Sequence, residues 1–339
     1  MAMLALVLSG GFAADATACT ATPTTTATLG TSYSPPAVRA GAVPALKAQA
    51  GLSCTPGLLI LLGVNAVKAK FHSANGFKLK KTGGTATIDY AASADPAGTV
   101  AFAQDTTVDY MQNNLLNLLG LLGGSSADFP FYVKPSAAAL PGVGTYTDRI
   151  TINWDWYLCQ GIGALFLCIG TLDEGSATTV IDVTLTVEAK QLTVATSSRT
   201  TWDPVNGVIN PKALPGGRQR TTLLVANPDI VAIENNSMAL TLPVAARQRI
   251  ALDGDGSGSP AVFTYADGSP ASSLAFAYAS PGSTTDDVDF SNDGGTSWSY
   301  APVAGSAASQ GAVTHVRLRP RGSMAPGSNF SISLPFATR

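Results

Sequence analysis

Apolar and polar residues alternate with a period of two along most of this chain, the pattern of strands that bury one face. The alternation is plainest over Ala66–His72, Asp148–Trp154 and Thr179–Glu188, with turn clusters such as Lys81–Gly84 and Ser93–Pro96 between such stretches. It predicts an antiparallel sandwich over residues 19–190. Composition shifts at residues 191–200, a polar stretch that reads as a linker. Beyond it, strand-like segments recur over Thr221–Ala226, Met238–Pro243, Ala261–Tyr265, Ser273–Tyr278, Val288–Ser291, Val313–Arg319 and Asn329–Phe336, between Gly, Asn and Asp turns. They predict a second sandwich over residues 201–339.

Three bare aliphatic runs interrupt this pattern. The first, Pro56–Gly63, holds Leu58, Leu59, Ile60, Leu61 and Leu62. The second, Leu115–Gly123, holds Leu115, Leu116, Leu118, Leu119, Leu121 and Leu122. The third, Gly161–Gly170, holds Ile162, Leu165, Phe166, Leu167 and Ile169. All are shorter than the roughly 20 apolar residues that cross a bilayer. Glycine borders each, as in a turn rather than a capped helix. A short apolar run is commonly a buried strand, and leucine also favours helix. Exposed on loops, the same residues make a contact surface. Placement separates the two readings. The second run lies between strand-like Thr106–Met111 and Phe129–Lys134, and the third caps the hairpin formed by Ile150–Leu158 and Thr179–Val187.

Composition narrows the classes of function. Of 339 residues only 12% are charged and the net charge is −2, which gives no electrostatic case for nucleic acid. The start of the chain reads as the apolar region and small-residue cleavage site of a secretory signal over residues 1–18, without a basic leading segment. Export through the periplasm to the cell surface or beyond is therefore expected. Four cysteines in an exported chain imply two disulfides, with three connectivities open. Cys159 and Cys168 flank the third run, so their pairing would staple the base of that loop and leave Cys19 with Cys54. Zinc is disfavoured, since there is no Cys-x-x-Cys pair and the two histidines are distant.

Catalytic chemistry finds little support. His72 and His315 sit in alternating strands and no Gly-x-Ser-x-Gly elbow is present, so neither an enzyme nor a cofactor is expected. Asp253 and Asp255, in Asp253–Gly258, are calcium candidates, as is the stretch Asp286–Asp289. The closing Glu of an EF-hand is missing, and polar turns explain both more simply. Trp154, Trp156 and Tyr157 could stack a sugar, the basis of a carbohydrate-binding alternative, but strand aromatics usually serve the core.

From Cys19 to about Lys190 the chain resembles the spore coat protein U family, whose fold is that of archaic chaperone–usher pilus subunits. The resemblance rests on Cys19, Leu52-Ser-Cys-Thr55, the turn Ala74-Asn-Gly76 with Lys78-Leu-Lys-Lys81, Ile88-Asp-Tyr90, and Gly144-Thr-Tyr-Thr-Asp-Arg-Ile-Thr-Ile-Asn-Trp154, which matches a Gly-x-Tyr-x-Asp-x-Val-x-Val ending. It implies a Cys19–Cys54 bridge and makes Thr55–Asn65 an apolar insertion before the strand at Ala66. It extends to Csu-type tip adhesins, which attach to hydrophobic surfaces by three apolar finger loops. The partners so implied are a pilus subunit donating a β-strand, a periplasmic chaperone and an outer-membrane usher. With a signal ending just before Cys19 the chain would have no strand to donate, which fits a tip. Trp202–Gly207, Asn210–Gly216, Phe290–Trp298, Val316–Arg319 and Ala325–Gly327 resemble an immunoglobulin-like repeat domain of bacterial surface proteins instead. The expected fold class is thus all-β, two antiparallel immunoglobulin-like β-sandwiches in tandem. The rival to an adhesin is a secreted filament or coat subunit whose apolar loops are buried between neighbours.

Overall fold

The computed structural model describes residues 19–21, 24–54, 65–111, 127–164, 167–259 and 261–339. The expected signal peptide at 1–18, the runs Leu58–Leu62 and Leu115–Leu122, and Leu165 and Phe166 lie outside the described residues, as do the side chains of Ile162 and Leu167. The chain is all-β and divides into two compact units, with the boundary between Glu188 and Ala189.

The first unit comprises β1 (Cys19–Ala21), β2 (Thr25–Thr28), α1 (Pro35–Arg39), β3 (Leu46–Cys54), β4 (Ala66–Ser73), β5 (Lys78–Lys81), β6 (Thr87–Ser93), β7 (Thr107–Asp109), β8 (Ala127–Ser136), β9 (Gly144–Ala164) and β10 (Leu167–Val187). Its ten strands follow the path β1-β3-β8-β6-β5-β9-β10-β2, with β4 joined to both β7 and β9. The two ends of this path are consecutive in sequence. β1 pairs antiparallel with β3, and β2 crosses over to pair in parallel with β10. The N-terminal segment so covers two margins that would otherwise offer unpaired main chain. α1 is a single turn set by the Ser34 cap, whose Oγ accepts from Ala37 N at 3.1 Å, and by prolines at its first positions.

Alternation places the core. In β4, Val67, Ala69 and Phe71 point inward while Lys68, Lys70 and His72 face out. Phe71, Phe102 and Phe131 stack at 4.1–5.7 Å between ring centres, and Tyr110, Phe129 and Trp154 form an adjoining aromatic group. Each such ring removed from water contributes about 1.5–3 kcal/mol.

The second unit comprises β11 (Thr193–Trp202), β12 (Arg218–Ala226), β13 (Leu240–Pro243), β14 (Gln248–Ile250), β15 (Thr264–Asp267), β16 (Val288–Ser291), α2 (Ala307–Gly311), β17 (His315–Leu318) and β18 (Asn329–Thr338). A five-stranded sheet, β11-β12-β18-β14 with β15 also on β18, accompanies a three-stranded one, β13-β17-β16. They share a separate core that includes Val225, Ile250, Phe290, Val316, Phe330 and Phe336.

Two expectations change here. The expected linker at 191–200 is mostly strand: β11 pairs with β12 from Thr193↔Ala226 onward. Its Thr, Ser and Val residues are exposed up to Arg199, so the stretch has β-branched chemistry without the alternation that marks a half-buried strand. Ser273–Tyr278 joins no ladder beyond an isolated Ala275↔Arg321 bridge. A carboxylate takes the place of a neighbouring strand, since Ala277 N donates to Asp287 Oδ2 at 2.7 Å.

Candidate functional site

The described flanks of the three apolar runs are neighbours. Cys54, the last residue of β3, is in register with Ala127, the first of β8, so the first run departs beside the point where the second returns. Tyr110 N donates to Val67 O at 2.9 Å, and Lys68 pairs with Asp109, so the second run departs beside the point where the first returns. Ala66 pairs with Tyr157, and Asn65 Oδ1 accepts from Cys159 N at 2.8 Å, which brings in the base of the third run. The chain leaves this unit from the other end of the same hairpin, where Val187 pairs with Gly144.

The third run is the end of the β9–β10 hairpin. Past the last residue that β4 covers, the rungs continue through Gln160↔Thr171, Ile162↔Ile169 and Ala164↔Leu167. Ile169 is 70% exposed and Leu172 40%. Cys159 lies opposite Leu172 and Cys168 opposite Gly163, four rungs apart, or about 13 Å along a straight ribbon. The Cys159–Cys168 disulfide nevertheless has its Cα atoms 5.5 Å apart, so the hairpin end curls over. Gly161, Gly163 and Gly170, the last at φ +153°, supply the freedom to bend. The bridge ties the tip back to the root rather than closing the base of the loop.

Cys19–Cys54 joins β1 to β3 where the first run departs. Both disulfides therefore stand at roots of apolar runs. A covalent tie at the root of a loop limits the freedom of the unfolded chain and so stabilises the folded loop.

At the opposite end of β4, three of the motif fragments meet in one buried cluster. Asp148 is 4% exposed. Its Oδ2 accepts from Ser73 Oγ at 2.5 Å and Tyr90 Oη at 2.6 Å, and its Oδ1 from Asn75 N, Asn75 Nδ2 and Arg149 N. Burial, and then the neighbouring Asp148 carboxylate, hold the Tyr90 phenol far above its ordinary value. The cluster locks the β4–β5 turn, β6 and β9 together, a role that the motif reading by itself did not reveal.

The remaining sequence candidates are occupied within the fold. Trp154 and Trp156 are buried, with their indole nitrogens donating to Thr179 Oγ1 at 3.0 Å and Asp173 Oδ1 at 2.9 Å, so they form no exposed sugar platform. Asp253 receives both terminal nitrogens of Arg218 at 2.8 and 2.7 Å, and Asp255 receives Arg220 Nε at 2.9 Å and Ser257 Oγ. Guanidinium groups thus sit where a calcium ion would have to. His72 stands exposed on β4 with Nδ1 3.0 Å from Asp105, and His315 lies on β17.

Residues 4–153 match the family model for the Spore Coat Protein U domain. The first unit carries a Spore Coat Protein U domain. The matched region includes the Cys19–Cys54 bridge and the Asp148 cluster, and ends within β9. The chain is also similar to the CsuC–CsuE chaperone–tip adhesion subunit pre-assembly complex from archaic chaperone–usher Csu pili of Acinetobacter baumannii, at 13% identity and a TM-score of 0.40 over 95% of this chain and 94% of that one. A weaker likeness, 10% identity and a TM-score of 0.22, joins 96% of this chain to 51% of a protein from Corynebacterium diphtheriae described as membrane anchored. No curated protein matches the chain.

Proposed function

We propose that this protein is a cell-surface adhesin, the tip subunit of an archaic chaperone–usher pilus, and that it attaches to hydrophobic surfaces through its three apolar runs to begin a biofilm. The observation that carries this reading is the meeting of all six described flanks at one end of the Spore Coat Protein U unit, with a disulfide at the root of the first run and another at the third. Inserting one Leu or Phe contributes about 1.5–3 kcal/mol, so a few per molecule offset the freedom lost on attachment. Many pili per cell then multiply a weak contact into a firm one. Apolar attraction is non-directional, which suits a target defined by greasiness rather than by shape. The partners of this reading are a periplasmic chaperone, an outer-membrane usher and a subunit that donates a β-strand. Strand addition needs unpaired main chain, and among the described residues the outer edge of β11 has no partner strand.

The test replaces two leucines in each run by Asp or Ser in cells that display the protein. Attachment to polystyrene should disappear while thermal stability of the purified chain stays within about 1 kcal/mol, as surface changes do. Unfolding of the variants would mean that the runs are core. Intact stability with intact attachment, but loss of assembly, would favour the filament or coat subunit.

A further inference from the structure

The second unit holds a cleft of about 200 Å³ beside β16, walled by Thr284, Asp289, Phe290, Trp298, Tyr300 and Ala301. This is below the roughly 300 Å³ at which drug-sized sites begin, and it leaves room for about one ring. Gly282 and Ala301 pack closely at one margin, where a Cβ built on the glycine would lie 3.7 Å from Ala301 Cβ.

The walls are built rather than incidental. Trp298 is half-buried, and Arg317 lies over its ring at 4.6 Å. The turn that delivers Trp298 is fixed from below: Asp293 accepts from Ser297 N at 2.9 Å and Ser291 Oγ at 2.6 Å, and Gly295 N donates to Ser291 Oγ at 2.9 Å. Gly294 and Gly295 take φ +78° and +87°, which this tight return requires. Tyr300 is held by its hydroxyl, which donates to Ser309 O at 2.9 Å and leaves the ring as a wall. Asp289 is set by Arg317 Nε at 2.8 Å and Arg319 Nε at 2.7 Å.

The chemistry selects a ligand class. Aromatic rings offer an apolar face to the C–H side of a sugar, while the Asp289 carboxylate and the Thr284 hydroxyl present an acceptor and a donor to its hydroxyls. Charge argues against an anion or a cation. Arg317, Arg319 and Arg321 are paired with Asp289, Asp289 and Asp287, and Asp286 stands beside them, three positive groups against three negative. We propose that this cleft binds a single neutral sugar ring, with Trp298 and Tyr300 as the apolar walls and Asp289 and Thr284 as the hydroxyl contacts. The site is separate from the apolar runs, and its ligand is a glycan rather than a greasy surface.

Saturation-transfer NMR of the full chain with methyl glucoside, galactoside and mannoside, and with glucuronate as a charged comparator, tests this. Saturable millimolar binding of at least one neutral hexoside is expected. It should weaken at least tenfold in Trp298→Ala and in Ala301→Phe, which fills the cleft from an exposed position. Leucine substitutions in the three runs should leave it unchanged. Should Trp298→Ala fail to fold, Ala301→Phe decides. Absence of saturable binding by every hexoside, unaltered binding by folded Ala301→Phe, or preference for glucuronate would each overturn the proposal.

Discussion

Replacing Asp148 by alanine is expected to destabilise the first unit by about 3–5 kcal/mol. The carboxylate is the common acceptor for Ser73 Oγ, Tyr90 Oη, Asn75 and the Arg149 amide, and both hydroxyls belong to residues at most 5% exposed. Each buried donor left without an acceptor costs roughly 1–3 kcal/mol. Asp148→Asn keeps the volume, but its amide turns a donor toward hydroxyls that themselves need acceptors, so about 2 kcal/mol is expected. Calorimetry of the full chain reads this as a downward shift of one transition, with the transition of the second unit unmoved. A shift below about 0.5 kcal/mol in Asp148→Ala would show that the cluster is not the lock that holds β4, β6 and β9 together.

The strands legible in the sequence are those whose two faces meet different surroundings. Ala66–His72 reappears as β4, one residue longer, and Val288–Ser291 reappears unchanged as β16, because a core on one side and water on the other impose period two. β11 was not legible, since its residues up to Arg199 face water on both sides. The length of the β9–β10 hairpin was hidden for a related reason. Past Leu158 its residues no longer alternate, and Gly161-Ile-Gly-Ala-Leu reads as a loop although its residues up to Ala164 stay in register.

The candidate site was legible in its covalent frame. Both disulfides follow the pairing expected from cysteine placement and family resemblance. Its neighbours were harder. An alternating strand says that every second residue is inward, but not which inward indole finds a partner, so Trp154 and Trp156 could pass for a platform until Thr179 and Asp173 were seen beside them. The acidic turns at Asp253 and Asp255 were likewise open to a cation because their arginine partners lie 35 positions away in sequence.

Those arginines carry the second large prediction. Arg220 Nε binds Asp255 at 2.9 Å, and its terminal nitrogens donate to Ala261 O, Val262 O and Ser333. Arg220→Met should destabilise the second unit by about 3–5 kcal/mol at pH 7, because it leaves a buried carboxylate without its cation. The pH dependence should differ between the two proteins. In the wild type, burial pulls the Asp255 carboxyl upward, but hydrogen bonds from Ser257 and Arg220 outweigh it and hold it below the ordinary value; the Arg218 hydrogen bond depresses Asp253 too. A depressed carboxyl contributes stability that is present above the unfolded value, near 3.9, and is lost as pH falls through the folded one. Wild-type stability should therefore be level from about pH 7 to 5 and decline below about pH 4. Without Arg220, Asp255 loses one of the hydrogen bonds that offset its burial and its value should rise, so the variant should gain stability relative to the wild type as pH falls from 7 toward 5. Urea unfolding of both proteins across that range should show the gap between them narrowing with acid. A gap that stays constant would mean that Arg220 acts through its carbonyl contacts alone, and that Asp255 does not depend on its charge.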